Sequence, residues 1–195
     1  MGKIVLITGG ARSGKSRFAE QYAAKCGNRV AYLATAEVHD KEMGFRVKLH
    51  QKRRPISWKT WEAPWDAHRA LEEARRESYD IVLFDCLTLY ISNILCSMND
   101  ISDSSKNYDI VHEKIELLLE QARKSKGTVI FVTNEVGAGI VPDNMLAREY
   151  RDIVGLMNQI VGQAASEVYQ VTCGISVDLK KFGESVLSSS CFPKT

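Results

Sequence analysis

Two short stretches of this chain carry residue types able to handle phosphate. Residues 9–16 read GGARSGKS, and residues 45–55 read FRVKLHQKRRP. In the first, Gly9, Gly14, Lys15 and Ser16 satisfy G-x-x-x-x-G-K-[ST], with Gly10, Ala11, Arg12 and Ser13 completing the loop. Glycines let the backbone curl so that its N–H groups face phosphate oxygens, and a following helix adds the partial positive charge of its N-terminus. Lys15 would reach the terminal phosphates of a nucleotide, and the Ser16 hydroxyl would ligate Mg²⁺. The alternative is a glycine-rich turn with an incidental lysine. The setting, an apolar run before and a helical pattern after, favours the phosphate cradle.

Such a cradle needs a carboxylate at the end of a neighbouring strand. Asp85 closes the run DIVLFD (80–85) and is placed to hold Mg²⁺ directly or through water. A competing role is N-cap of the helix that starts near Leu87, since Asp is favoured there too.

The second stretch sets His50 among Arg46, Lys48, Lys52, Arg53 and Arg54. Three readings compete. An imidazole nitrogen can attack phosphorus and form a phosphoramidate, splitting a transfer into two steps. Adjacent cations would neutralise the phosphate during attack and lower the histidine pKa, keeping the ring neutral. The bland reading is a polar residue at the edge of an amphipathic helix, with Met43 and Val47 on its face. A nucleic-acid patch is the weakest, because the run is short and the whole chain carries a net charge of only +2, from 26 basic and 24 acidic residues. His39 lies eleven positions before His50. On one continuous helix the two would be roughly 16 Å apart, too far to share a metal ion. His68 and His112 fall in helical patterns without a partner in sequence and read as packing or surface residues.

The elements that must position these residues alternate. KIVLIT (3–8), RVAYLA (29–34), DIVLFD (80–85), TVIFVT (128–133) and EVYQVTCG (167–174) read as strands. KSRFAEQYAAKC (15–26) reads as a helix with Phe18, Tyr22 and Cys26 on one face. Further helical patterns cover 38–52, 65–78, 87–98, 107–126 and 144–166. Continuous apolar strands separated by helices imply a parallel, doubly wound α/β sheet covered on both faces. The polar, serine-rich stretch 96–109 reads as a mobile surface loop. Residues 1–182 are expected to form one P-loop nucleotide-binding domain, and 183–195 a weakly patterned, disordered tail. TNEVGAGIVP (133–142) follows the fourth strand at the edge where open α/β sheets bind ligands. It reads either as a loop lining the site or as a plain strand-to-helix turn.

The chain has 195 residues, 45% of them hydrophobic and 26% charged, the balance of a single soluble globular domain. Five cysteines, at 26, 86, 96, 173 and 191, form no CxxC pair. That excludes a disulfide framework or zinc site and points to a reducing, cytoplasmic compartment. The start MGKIVLITGG lacks signal-peptide character, and no apolar run is long enough to span a membrane.

TGGARSGKS, YLAT, HQKRRP, WKTWEAP, DCLTLYISN and TNEVGAGIVP, taken together over about residues 3 to 180, resemble the bifunctional adenosylcobinamide kinase/adenosylcobinamide-phosphate guanylyltransferase family of cobalamin biosynthesis. The resemblance implies two reactions. ATP or GTP phosphorylates the aminopropanol hydroxyl of adenosylcobinamide. GTP then donates GMP to that phosphate through a GMP-histidine intermediate, releasing pyrophosphate. The residue matching the family's histidine is His50. The resemblance further implies nucleotide contacts at residues 9 to 16, at Thr35, Ala36 and Glu37, at Gln51, Lys52, Arg53 and Arg54, and at Glu62 and Asp85. It implies Mg²⁺ on Ser16 and Asp85, a RecA-like P-loop fold and a homotrimer, with no nucleic acid as partner. The tail beyond about residue 181 departs from the shorter members. Two other readings of the residues stand beside this one: a small-molecule kinase in which His50 is structural, and a nucleotide-binding switch without transfer chemistry.

Overall fold

Each of the five apolar runs folds as a strand, because its branched and aromatic side chains have a core to fill on both sides. The computed structural model describes residues 2–37, 41, 44, 45, 47, 51 and 54–183. The element order is β1 (Lys3–Thr8), α1 (Lys15–Cys26), β2 (Val30–Ala34), β3 (Lys59–Glu62), α2 (Ala67–Arg76), β4 (Ile81–Asp85), α3 (Leu87–Cys96), α4 (Ser104–Lys124), β5 (Thr128–Val132), α5 (Met145–Ala164), β6 (Glu167–Thr172), β7 (Ile175–Asp178) and α6 (Leu179–Phe182). Lys41, Gly44, Phe45, Val47 and Gln51 have helical backbone, in keeping with the helical pattern over 38–52. The rest of that pattern, with His39, Arg46, Lys48 and His50, lies outside the described residues, as do Lys52, Arg53 and 184–195.

The strands form one sheet in the order β3-β2-β4-β5-β1-β6-β7. Every pair is parallel except β6 with β7. The period-2 alternation of a strand sorts the apolar side chains into two cores. Val5, Ile7, Val30, Tyr32, Ile81, Leu83, Ile130 and Val132 face α1, packing on Ala19 and Ala23. Leu6, Leu33, Phe84 and Phe131 face the opposite way, onto α2, α3, α4 and α5. On α1 the buried stripe is Ala19 and Ala23, one position on from the Phe18–Tyr22–Cys26 face expected. Small residues let the helix lie close to the sheet. Phe18 and Tyr22 instead cluster with Tyr169, and Cys26 is exposed.

Three local differences from the sequence pattern have plain causes. The stretch 96–109 is not loop throughout: α4 begins at Ser104, where the Asp103 carboxylate accepts the Lys106 amide at 3.0 Å. β6 ends at Thr172 rather than 174. Cys173 and Gly174, at φ 53° and 76°, form a two-residue turn into β7, with Thr172 paired to Ile175. β3 and β7 are edge strands with largely exposed side chains, so they lack the apolar run that marks the inner strands.

Candidate functional site

The phosphate loop grows out of β1 and ends on α1. β1 lies between β5 and β6, so the loop emerges near the middle of the sheet's carboxyl edge. Two positions require glycine. A Cβ on Gly9 would sit 2.4 Å from the Val171 carbonyl oxygen and 2.6 Å from Ser13 Oγ, closer than atoms pack. Gly14 has φ 99°, a backbone that L side chains rarely adopt. The loop is tied down on both flanks. The Gly174 amide donates to the Ser13 carbonyl at 2.8 Å, and the Glu135 amide donates to the Gly9 carbonyl at 3.2 Å. The latter bond joins TNEVGAGIVP to the phosphate loop, so the first residues of that motif border the site.

Inside the loop, the Lys15 ammonium donates to the Gly10 carbonyl at 3.2 Å. Burial lowers the Lys15 pKa, an effect partly offset by the nearby Cys86 and Asp85. Ser13 Oγ is buried and makes no hydrogen bond within the protein. A partly desolvated ammonium and an orphaned hydroxyl in a cradle of backbone amides are the features a phosphate would satisfy. Gly10, Ala11, Arg12 and Ser16 complete the loop and the first turn of α1.

Asp85 reaches the same region from β4. On this strand Ile81 and Leu83 face α1, so the next alternate residue, Asp85, also lies on the α1 side. The N-cap alternative fails, because the residue capping α3 is Cys86 and no side chain caps that end. Instead Asp85 Oδ2 accepts the Tyr32 hydroxyl at 2.7 Å. Ser16 and Asp85 offer hard oxygen donors of the kind that hold Mg²⁺, which retains waters and binds substrate phosphates alongside one or two protein oxygens. Among the described residues no group of three or more His, Cys, Asp or Glu could hold a metal.

Thr35 follows β2 and is wholly buried. Its hydroxyl donates to the Cys86 carbonyl at 2.9 Å and accepts the Cys86 amide at 2.7 Å. The Thr35 amide donates to the Asp85 carbonyl at 3.2 Å. The Thr35 hydroxyl thus fastens the segment after β2 to the one after β4. Ala36 and Glu37, half-buried, continue the segment. Asn93 of α3 donates to the Thr35 and Pro64 carbonyls at 2.9 and 3.2 Å, joining this segment to the one after β3. Glu62 ends β3 beside Ala34 and is exposed on the same edge.

Gln51 is exposed, and Arg54 places its guanidinium carbon 3.3 Å from the centre of the Tyr32 ring. The phosphate loop, Asp85, Thr35 to Glu37 and Glu62 thus share the carboxyl edge of the sheet, on β1, β4, β2 and β3, with β5 separating the phosphate-loop strand from that of Asp85, and Arg54 meets them through Tyr32. His50, Lys52 and Arg53 lie outside the described residues. His68 lies in α2 with Nδ1 buried and unbonded, and His112 stacks on Tyr108 in α4. Sequence reasoning missed Tyr32 and Asn93. A phenol on the core face of a strand, two residues short of its end, was the available signal.

The family model described as cobinamide kinase / cobinamide phosphate guanyltransferase matches residues 5–179. The bifunctional adenosylcobalamin biosynthesis protein CobU of Salmonella typhimurium is 38% identical over 182 residues, 91% of this chain and 99% of the relative. CobU of Escherichia coli matches to the same extent, and CobP of Pseudomonas aeruginosa is 40% identical over 90% of this chain and 96% of its own length. A prototypical ATPase from the type III secretion system of pathogenic bacteria superposes with a TM-score of 0.58 at 15% identity, covering 96% of this chain and 60% of that one, a likeness of fold. With the family model spanning nearly the whole chain and the phosphate loop and Asp85 in place, this protein belongs to the cobinamide kinase / cobinamide phosphate guanyltransferase family.

Proposed function

We propose that the chain performs both reactions of its family on the adenosyl substrate, using His50 as a covalent relay. In the kinase step the aminopropanol hydroxyl oxygen of adenosylcobinamide attacks the γ-phosphorus of ATP or GTP. The new O–P bond forms as the β,γ-bridging P–O bond breaks, the nucleoside diphosphate departs and the hydroxyl proton is lost. In the second reaction a ring nitrogen of His50 attacks the α-phosphorus of GTP, and pyrophosphate leaves. A phosphate oxygen of adenosylcobinamide phosphate then attacks the same phosphorus, breaking the P–N bond and giving adenosyl-GDP-cobinamide.

The observation that supports the phosphate-handling part of this reading is the glycine-shaped loop with a half-buried Lys15 beside Asp85 at the carboxyl edge of the sheet, while the His50 relay rests on the family resemblance. Residues 9 to 16 hold the phosphates through backbone amides and Lys15, which stabilises charge as it moves to the leaving group. Ser16 and Asp85 would hold Mg²⁺, which would screen the phosphate oxygens of a bound nucleotide. Ala36, Glu37, Gln51 to Arg54 and Glu62 contact the nucleotide, and Lys52, Arg53 and Arg54 offset the triphosphate charge beside His50. Residues 1–182 act as one domain, followed by a tail. The working form is a cytoplasmic homotrimer, with a small-molecule substrate rather than nucleic acid. Among the described residues no helix is long and apolar enough to cross a membrane.

GTP labelled at the α-phosphate tests the relay. The intact protein should acquire label that is acid-labile and base-stable, and His50→Asn should acquire none. Label persisting in His50→Asn would assign the relay to another residue. No label on the intact protein, with the kinase step retained, would favour a kinase in which His50 is structural.

A further inference from the structure

Tyr32 is an unusual core residue. It sits in the middle of β2, is 1% exposed, and pairs in register with Leu83 of β4. Tyr32, Leu83 and Asp85 share the α1 side of the sheet, and Asp85 lies two residues beyond Leu83 along the strand. That displacement is roughly 6.6 Å, about the length of a tyrosine side chain. The phenol therefore runs along the sheet toward the carboxyl edge, and its hydroxyl donates to Asp85 Oδ2 at 2.7 Å. Above the ring lies the Arg54 guanidinium, 3.3 Å from its centre. The cation covers the π face and draws electron density from the phenol, making the O–H a better donor.

A carboxylate at the end of a strand can turn about two side-chain bonds. A short hydrogen bond to Oδ2 restrains the orientation of the group, in the way that partners of metal ligands orient those ligands. The Tyr32 phenol uses the single carboxylate that β4 delivers to the phosphate loop. Resting on the reading of Asp85 as a Mg²⁺ ligand, we propose that Tyr32 is a positioning residue for the metal site, its hydroxyl orienting Asp85 toward the nucleotide phosphates.

Mn²⁺ binding to the full-length protein, followed by electron paramagnetic resonance in the presence of a non-hydrolysable ATP analogue, tests this apart from turnover. Tyr32→Phe keeps the ring and the Arg54 contact and removes only the hydroxyl. Mn²⁺ should bind about tenfold more weakly, at the lower end of the range for losing a group that orients a metal ligand. Binding of the analogue without metal should stay unchanged. Asp85→Asn should also weaken Mn²⁺ binding, and adding Tyr32→Phe to it should weaken it no further. Unchanged Mn²⁺ affinity in Tyr32→Phe, with a lowered thermal midpoint alone, would make the hydroxyl a structural bond and overturn the proposal while leaving the metal role of Asp85 intact. Equal, additive losses in the double variant would overturn it as well. Unchanged Mn²⁺ affinity in Asp85→Asn would overturn the metal role and the positioning role together.

Discussion

Thr35→Val is the sharpest perturbation of the frame that holds the site. Valine has the shape of threonine, so packing at this wholly buried position is nearly conserved. Two hydrogen bonds are lost, and they are not equivalent. The Cys86 carbonyl keeps a second donor, the Tyr90 amide at 3.1 Å, so losing the threonine hydroxyl costs it one bond of about 0.5–1.5 kcal/mol. The Cys86 amide has the Thr35 hydroxyl at 2.7 Å as its partner and would be left buried and unsatisfied, a cost of about 1–3 kcal/mol. The sum is roughly 2–4 kcal/mol, or about 5–15 °C in thermal midpoint for a chain of this size. Thr35→Ser keeps both bonds and loses one methyl, about 1 kcal/mol. Urea unfolding of the three proteins gives the comparison directly. If Thr35→Val were no less stable than Thr35→Ser, the hydroxyl would not be fastening the segments after β2 and β4.

Further outcomes follow from the buried groups around the loop. Lys15 has a pKa lowered by burial, so its charged form is disfavoured in the folded state; Lys15→Ala should leave the apo thermal midpoint unchanged or raised, while abolishing the upward shift seen with Mg·ATP. Burial pushes the Cys86 thiol from 9.0 to about 11. Its folded pKa lies above the unfolded value, so this contribution is complete below about pH 9 and is lost as pH rises through 11. Urea midpoints measured across that window should fall less steeply in Cys86→Ala than in the intact protein. Iodoacetamide at pH 8 should label exposed Cys26, Cys96 and Cys173 in the native protein, and Cys86 only after unfolding, as peptide mass spectrometry would report.

Most of the fold was legible because its inner strands carry their own signature. Ile81 to Phe84 are all buried, since a parallel strand with helices on both sides has no polar face, and such runs stand out in sequence. Edge strands lack that signature. Lys59–Glu62 has one covered side at most, and its lysine forms an exposed ion pair with Glu77 at 2.7 Å. The start of α4 was hidden for another reason. Serine and asparagine lower helix propensity locally, yet Asn107 is fixed there by donating to the Ile101 carbonyl and to Glu149 of α5, contacts 6 and 42 residues away in sequence. Pairings of that separation leave no periodic trace.

The site divides along the same line. The phosphate loop was legible because its function is carried by the backbone, and a backbone that must curl and approach closely demands glycine at fixed spacing, at Gly9 and Gly14. Asp85 was legible as a residue type at a strand end, with its role left open between metal ligand and helix cap. The choice depends on where the side chain points, and its hydrogen-bond partner is a phenol 53 positions earlier in the chain. Thr35 shows the limit from the other direction. Its place beside the site was foreseen, but not that its hydroxyl is committed to the Cys86 backbone, where it holds the edge of the sheet together. Position along a strand tells which residues gather at the carboxyl edge. Hydrogen bonds between strands then decide which of them are available for chemistry and which secure the others.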